Sequence, residues 1–373
     1  MSIHNNLAQL RAKRGLGAAQ LATAVDISRQ TIYAIEAGTY VPNTVVSLKL
    51  ARVLDTTVEE LFQLETEQQA PAETAEVTVL GALETMEAGQ PLRLCKVREH
   101  LIAVAPEGGA LGLPPTDAIL LAPVRGGKRQ VNARVRIVSS GWNTPTRILL
   151  AGCDPSASIL AGTLPRQECN LVIAYENSSR ALELLQEGLV HVAGTHLAEK
   201  SEEKSLPQIT KMFPRSSVAV FSYALWEEGL VVAMGNPKKI IGIADLARKD
   251  VRIINREPGA ACRILLDELM AEHSIPVGKV NGYDRVARGQ LPAARLVQSG
   301  EVDCCISTQA SARVSGLDFV SLTQKPYRLV LRRKDLELAP IQSLIETLGR
   351  ASFRREVTAC VGYDMRTAGE RLT

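Results

Sequence analysis

From residue 147 onward the chain alternates, and this alternation constrains its fold more than any other feature. Short apolar runs with strand character are each followed by a stretch with helical spacing. "RILLAG" (147–152) leads into a helix opening at Pro155, and "NLVIAYE" (170–176) into one from about Ser178. "VRIINRE" (251–257) leads into "GAACRILLDELMAEH", and "EVDCCIS" (301–307) into another short helix. The pattern implies an α/β domain with mostly parallel strands, in which ligands sit where strands end and helices begin. The stretch "LAGCDPSASIL" (150–160) shows one such junction whole. Pro155 suits a first helical position, because its missing N–H would be unpaired there anyway. The free backbone N–H groups at such a junction attract anions.

The first 146 residues read differently. Residues 1–64 carry helical apolar spacing: Leu7 and Leu10, Leu21 and Val25, Ile32 and Ile35, Leu50 and Leu54, then Leu61. "ETEQQAPAETAE" (65–76) is polar, contains one Pro and has no apolar face, so it reads as a linker. Residues 77–145 hold short β-like runs ("VTVLGAL", "LIAVAP", "AILLAPV", "RVRIVSS") broken by Gly and Pro pairs, which suggests a small β-rich module.

Composition sets outer bounds. With 373 residues, 46% apolar and 22% charged, the chain is long enough for two or three domains and has ordinary globular content. A net charge of +3 is too small to indicate a nucleic-acid partner by itself. The start, "MSIHNNLAQLRAKRG", has no signal-peptide pattern, and no apolar run approaches the length of a membrane span. A cytoplasmic protein with no membrane partner is expected. The seven Cys are scattered, with no CxxC and no Cys/His zinc spacing, so reduced thiols and no metal are expected. No P-loop, no GxGxxG and no Ser/His/Asp set stands at motif spacing. No cofactor is expected, and an enzyme is disfavoured, although His196, Cys262 and Asp154 could converge.

Residues 7–64, "LAQLRAKRGLGAAQLATAVDISRQTIYAIEAGTYVPNTVVSLKLARVLDTTVEELFQL", resemble the helix-turn-helix domain of the Cro and lambda-repressor class, the XRE family. "GAAQLATAV" is one helix, "DIS" a turn and "RQTIYAIEAG" a second helix, with Ser28 as its cap and Gly38 at its end. Ile27, Ile32 and Ile35 face the core, which leaves Arg29, Gln30, Thr31 and Tyr33 outward to suit the major groove. Gln20 and Ser28 join them as candidate DNA contacts. Arg11, Lys13 and Arg14 suit phosphates. Up to residue 54 there are six Lys or Arg against two acidic residues, so the basic face is local. One head covers a half-site, which makes a homodimer or higher homo-oligomer on double-stranded operator DNA the expected form.

Residues 147–335 resemble the periplasmic-binding-protein-like domain of some cytosolic regulators, which also accompanies certain molybdopterin-biosynthesis proteins. The carriers are "AGCDPS" (151–156), "HVAGTHL" (191–197), "LVVAMGNPKKIIGIADLARKDVRIINREPGAACRILLDELM" (230–270), "GYDR" (282–285), "LVQSGEVDCCIS" (296–307) and "GLDFVSL" (316–322). The resemblance implies a two-lobed, type II α/β sensor over 146–373. Lobe I would hold 146–232 and 329–373, and lobe II 233–328, with the chain crossing near 229–236 and returning near 325–331. The expected architecture is thus multi-domain: an all-α helix-turn-helix head (1–64), a linker (65–76), a small β-rich module (77–145) and this sensor.

Four turns would then face one cleft: Asp154, Pro155 and Ser156; Ser178 and Ser179; Thr195 and His196; and Arg256 with Gly259, Ala260, Ala261, Cys262 and Arg263. Tyr283 completes the set. Such turns suit a small polar or anionic effector. Each residue also has a plain role open to it. Asp154 and the serines can cap helices, His196 can be a loop histidine, and the arginines can pair with Glu257 and Asp267. Related domains often carry Gly-Ser-Gly-Thr-Arg where this chain has Gly259-Ala260-Ala261-Cys262-Arg263, so two hydroxyls are missing. Cys262 is either a thiol of lowered pKa or a buried inert one. The implied function is a ligand-responsive transcriptional regulator, expected to be a repressor, sensing molybdate, tungstate, a molybdenum-cofactor-like molecule or a sulfur or carboxylate metabolite. The alternative is a DNA-binding protein whose C-terminal domain is a ligand-free assembly scaffold.

Overall fold

The structure, a computed structural model, describes residues 3–64, 73–81, 86–106, 115–125, 130–196, 207–214 and 216–373. It divides into two compact units, Met1–Ala72 and Glu73–Thr373.

Unit 1 holds five helices: α1 (Leu7–Lys13), α2 (Ala18–Val25), α3 (Arg29–Glu36), α4 (Thr44–Leu54) and α5 (Val58–Leu61). Their apolar faces meet in one core of Leu7, Leu21, Val25, Ile32, Ile35, Leu50, Leu54 and Leu61. Ser28 caps α3, its Oγ accepting the Thr31 N–H at 3.0 Å. Gly38, with φ of 72°, follows the helix end where a left-handed residue is needed. An antiparallel pair, β1 (Ile3–Asn5) with β2 (Phe62–Leu64), ties the two ends of the unit together. Three residues per strand are too few to show a period in sequence.

Unit 2 begins with a closed barrel of five strands: β3 (Thr74–Leu80), β4 (Pro91–Val97), β5 (His100–Val104), β6 (Ala118–Leu120) and β7 (Gln130–Ile137). Its interior is Val77, Val79, Leu92, Leu94, Ala103, Leu120 and Val135. Because β3 starts at Thr74, residues 74–76 belong to the barrel and not to the expected linker, whose residues 65–72 lie outside the described residues. The opposite face of β4 and β5 carries Cys95, Val97, Ile102 and Val104, and these pack on the α/β part.

The α/β part runs β8 (Arg147–Gly152), α6 (Ala157–Thr163), β9 (Asn170–Tyr175), α7 (Ser178–Glu187), β10 (Val192–Thr195), α8 (Pro207–Met212), β11 (Val218–Val232), β12 (Asn255–Arg256), α9 (Ala261–Glu272), β13 (Val286–Ala287), α10 (Gln290–Gln298), β14 (Cys304–Thr308), α11 (Gln309–Val314), β15 (Asp318–Arg332), α12 (Ala339–Gly349), α13 (Ala351–Thr358) and β16 (Tyr363–Asp364). One sheet, in the order β14-β11-β15-β10-β8-β9, spans both lobes. In it β8 is parallel to β9 and β10, whereas β11 and β15 are antiparallel to their neighbours, so parallel pairing is less general than the alternation implied. Lobe I is a sandwich. Leu160, Ile341, Leu344 and Phe353 cover one sheet face, and α7 with the barrel covers the other. In lobe II, Leu230 and Val232 face α9 while Val231 faces α10, the alternation a strand requires.

The lobes are joined by the two 15-residue strands β11 and β15, paired along their length. Register shifts fall at Ser222/Ala224 and at Glu228/Gly229, and they bracket the crossing. The chain therefore passes from lobe to lobe within a continuous strand pair.

Candidate functional site

On unit 1, Ser28, Arg29, Gln30 and Tyr33 are exposed along α3, and Thr31 is half-buried. The Arg29 guanidinium lies 5.3 Å from the Tyr33 ring centroid and donates to the Tyr33 hydroxyl at 2.9 Å. An exposed arginine resting on an aromatic ring is held extended without being neutralised. Gln20 is exposed on α2, where its Oε1 accepts the Gly17 N–H. Two basic residues are less free than expected. Arg11 is half-buried and paired with Glu36 at 2.6 Å, which makes it an internal strut. Arg14 pairs with Asp55 at 2.9 Å on the exposed surface, a contact a phosphate can replace.

In unit 2 the two lobes touch. A Cβ on Gly259 of lobe II would lie 3.2 Å from Asn177 and 3.4 Å from Ser179 of lobe I. At the centre of the contact His196 Nδ1 lies 2.8 Å from Glu228 Oε1, with both side chains at most 2% exposed. The N–H points off the line, so this is an ion pair and not a well-aligned hydrogen bond. Burial alone would lower the His196 pKa. The Glu228 carboxylate and the Cys153 sulfur outweigh it, and His196 is held up at about 10. Burial likewise opposes the Glu228 charge, but attraction to His196 keeps its pKa below the usual range. Trp226 stacks edge-on to His196 at 4.7 Å, and Tyr327 packs 4.8 Å from Trp226. Gly152 and Gly194 leave room for the Tyr327 hydroxyl, which a Cβ at either position would overlap. Gly194→Ala should therefore cost about 1–3 kcal/mol of stability, readable as a lower denaturant midpoint.

Beside this packed centre opens a cavity of about 280 Å³. Lobe I contributes Cys153, Pro155, Ala174, Tyr175, Glu176 and Asn177. Lobe II contributes Arg256, Glu257 and 288–292, and the barrel contributes Leu80, Gly81 and 104–106. Asn177 caps α7, and Gln290 opens α10, so two helix N-termini reach the wall. Arg256 grips Glu257 through bonds of 2.9 and 3.0 Å, and the pair is nearly buried. Among the described residues no group of three His, Cys, Asp or Glu side chains could hold a metal ion. None of the described helices is long and apolar enough to cross a membrane.

The model of the PBP superfamily domain matches residues 161–349. The chain belongs to the PBP superfamily. A helix-turn-helix model matches residues 7–61. The HTH-type transcriptional regulator YgzD of Bacillus subtilis (strain 168) is 38% identical over 63 residues, 17% of this chain and 96% of that one. YvgK of the same organism is 29% identical over 226 residues, 60% of this chain and 72% of that protein. Among solved structures, the sulfate-binding protein SubI from Mycobacterium tuberculosis H37Rv is similar at a TM-score of 0.47 and 14% identity, over 58% of this chain and 86% of that one.

Within this PBP-superfamily domain the four turns do not converge on one open cleft. Pro155 and Arg256 line the cavity. Asp154 is buried inside lobe I, where its Oδ1 accepts the Tyr363 hydroxyl and the Ser156 N–H. Burial pushes the Asp154 pKa up against those bonds. Ser156 Oγ bonds the Tyr223 hydroxyl at 2.7 Å, and Ser178 Oγ accepts the His196 N–H. Thr195 is buried at the end of β10, next to His196. Gly259, Ala260 and Ala261 form the turn that meets Asn177 and Ser179. Cys262 is fully buried and donates to Glu228 at 3.4 Å, and burial and that carboxylate push its pKa well up, so it is not an activated thiol. Arg263 lies over the Tyr283 ring at 5.1 Å and donates to the Arg256 carbonyl, while Tyr283 bonds Asp267, so neither faces the cavity. Sequence reasoning missed Cys153, Asn177, Gln290 and the barrel residues. No local pattern marks a wall built by a separate module.

Proposed function

We propose that the protein is a DNA-binding transcriptional regulator whose C-terminal unit senses a small effector in the cavity between the lobes and the barrel. The observation that carries this reading is the cavity itself. It takes walls from lobe I, lobe II and the barrel, so an occupant has differential contacts with open and closed lobes, as a ligand-driven switch requires. The lining is largely apolar, with Asn177, Gln290 and the Arg256–Glu257 pair as its polar end. This favours a small molecule with an apolar body and a polar or anionic end, such as a carboxylate or sulfur metabolite. It favours a bare oxyanion such as molybdate or tungstate less, because Arg256 is already neutralised. We further propose that the protein acts in the cytoplasm, as a homodimer on operator DNA, and without catalysing turnover of its effector.

Thermal unfolding against a panel of molybdate, tungstate, sulfate, thiosulfate, small carboxylates and sulfur amino acids tests the reading. A ligand at 100 times its Kd should stabilise the unit by about 2.7 kcal/mol. Ala105→Trp, which fills the cavity from the barrel side, should abolish that shift, while Arg263→Ala should leave it intact. Stabilisation that survives Ala105→Trp places the ligand elsewhere. One observation favours the scaffold alternative: His196, Glu228 and Cys262 fill the centre of the lobe contact. A panel with no shift would support it.

On the DNA side, Arg29→Ala and Gln30→Ala should each cost about 1–3 kcal/mol at the specific operator and leave non-specific binding nearly unchanged. Equal losses on operator and random duplex in a salt titration would move base reading away from α3.

A further inference from the structure

The cavity wall carries Cys153 and Gln290, and behind Cys153 stand two buried side chains that sensing alone does not require. Cys153 Sγ lies 3.5 Å from His196 Nε2, and the other ring nitrogen of His196 lies 2.8 Å from Glu228. A thiol, an imidazole and a carboxylate thus stand in line, the order in which a nucleophile is activated and its base oriented. Lobe II adds a fourth member. Gln290 Oε1 accepts the hydroxyls of Thr308 and Ser311 at 2.9 and 3.2 Å, which fixes the amide. Its Nε2 end therefore faces Cys153 Sγ, at 3.9 Å. An amide N–H beside a thiol is placed to receive an oxygen that gains charge when the thiol adds to a carbonyl. Cys153 lines the cavity, whereas Cys95, Cys169, Cys262, Cys304 and Cys305 are buried away from it. The charged groups around the thiol are the His196–Glu228 pair and the Arg256–Glu257 pair, with the buried Asp154 carboxyl on the next residue. Cys153 and His196 come from lobe I, Gln290 from lobe II and Glu228 from the joining strand, so the set is complete only when the lobes are closed.

We propose that Cys153 is a reactive thiol that captures a small aldehyde in the cavity, with His196 carrying the proton, Glu228 positioning the imidazole and the Gln290 amide receiving the carbonyl oxygen. His196 is the imidazolium, so its Nε2 proton goes to the carbonyl oxygen as the sulfur adds to the aldehyde carbon and the carbonyl π pair moves to oxygen. The thiol proton refills the vacated His196 Nε2, which gives a hemithioacetal and restores the imidazolium. One C–S bond and one O–H bond form, nothing is expelled and no oxidant or reductant is consumed, so the step reverses as the ligand leaves. The choice of an aldehyde rests on the sensing reading, because a sensor needs reversible occupancy. The reactivity of the thiol does not.

The test is alkylation of the full-length protein by iodoacetamide, followed by peptide mass spectrometry, with half-buried Cys360 as the internal standard. With the Cys360 rate normalising the samples, an activated Cys153 should react about tenfold faster in the wild type than in His196→Gln. Gln290→Leu, which leaves the buried ion pair intact, should keep fast alkylation but remove protection by aldehyde. Glyoxylate, an aldehyde that carries a carboxylate, should slow alkylation of the wild type and release it on dilution. Alkylation of Cys153 at the same rate in the wild type and in His196→Gln overturns the proposal. Fast alkylation that glyoxylate and butyraldehyde both fail to slow overturns the carbonyl step, and the thermal panel then decides separately whether the cavity senses anything.

Discussion

Glu228→Ala should destabilise unit 2 by about 3–5 kcal/mol at pH 7, one of the two largest losses expected from a single side chain here. Glu228 is completely buried, and its carboxylate is the partner of both the His196 imidazolium and the Cys262 thiol. Removing it leaves an imidazolium among Trp226 and Tyr327 with no counter-charge, together with an unfilled space. Both tryptophans, Trp142 and Trp226, lie in unit 2, so the denaturant midpoint of tryptophan fluorescence reads this unit alone. Glu228→Gln keeps the shape and should cost less. The double variant Glu228→Gln with His196→Gln should recover part of that loss, since the charge goes with its partner. Independent, additive losses would mean that the two side chains are not coupled.

The same pair sets a pH dependence whose sign follows from the shifts. The His196 pKa is raised from 6.5 to about 10 in the folded protein. Its contribution is therefore complete below about pH 6.5 and is lost as pH rises toward 10, with a limiting slope of about 1.4 kcal/mol per pH unit. Glu228 is shifted down, so its contribution is lost only on acidification below its ordinary range near 4.5. A second histidine governs the acid side earlier. His191 Nδ1 accepts the Leu149 N–H at 3.0 Å, which requires that nitrogen to be unprotonated. Burial lowers its pKa to about 4. The unfolded chain then takes up a proton more readily than the folded one, and stability falls from pH 6.5 down toward 4. Wild-type stability should peak near pH 6.5, His191→Asn should flatten the acid arm, and Glu228→Gln the alkaline arm. A single symmetric curve unchanged by either variant would exclude both assignments.

How much of this is legible in the sequence depends on range. The helix-turn-helix head is local in every respect. Its caps lie three residues from the N–H groups they bind, and its apolar spacing fits within eleven-residue helices, so α1 to α5 are readable from the chain. The strand-to-helix junctions after 152, 176 and 260 are readable for the same reason. The joining strands β11 and β15 are not, because what makes each fifteen residues long is pairing with the other, about a hundred residues away. Strand β4, "PLRLCKV", is missed because it is buried on both faces, toward the barrel interior and toward lobe I, and so lacks a period-2 alternation. The cavity follows the same rule. Asp154, His196 and Cys262 carry chemistry visible in sequence, yet which of them meets open space is decided by packing. Asp154 turns inward to Tyr363, Cys262 to Glu228, and only the neighbouring Cys153 is left on the wall.

Asp117→Ala should match or exceed the Glu228→Ala loss, at about 3–5 kcal/mol, and its pH behaviour should distinguish it. Asp117 stands at the start of β6 in the barrel, and its carboxylate gathers four donors: Arg93 Nε at 2.9 Å, Arg147 Nη2 at 2.7 Å, Arg147 Nη1 at 3.2 Å and the Leu94 N–H at 3.0 Å. Arg147 begins β8, and its side chain is 2% exposed, so this carboxylate ties the barrel to lobe I through a buried ion pair, alongside the more open Arg98–Asp335 pair at 3.8 Å. A stranded imidazolium can shed its proton as the pH rises. A stranded guanidinium cannot do so at any pH at which the protein would be handled. The Glu228→Ala deficit should therefore shrink between pH 7 and 10, whereas the Asp117→Ala deficit should stay constant from pH 5 to 9. Asp117→Ala with Arg147→Met removes the buried pair and should restore part of the stability, the rest being the Arg93 and Leu94 N–H groups that lose their acceptor. The consequence reaches function, because Leu80, Gly81 and Val104 of the barrel form one wall of the cavity. If Asp117 is what seats that wall, Asp117→Ala should lose effector-induced stabilisation even at temperatures where the unit remains folded. If the effector still stabilises this variant fully, the barrel wall contributes nothing to binding and the site is made by the lobes alone.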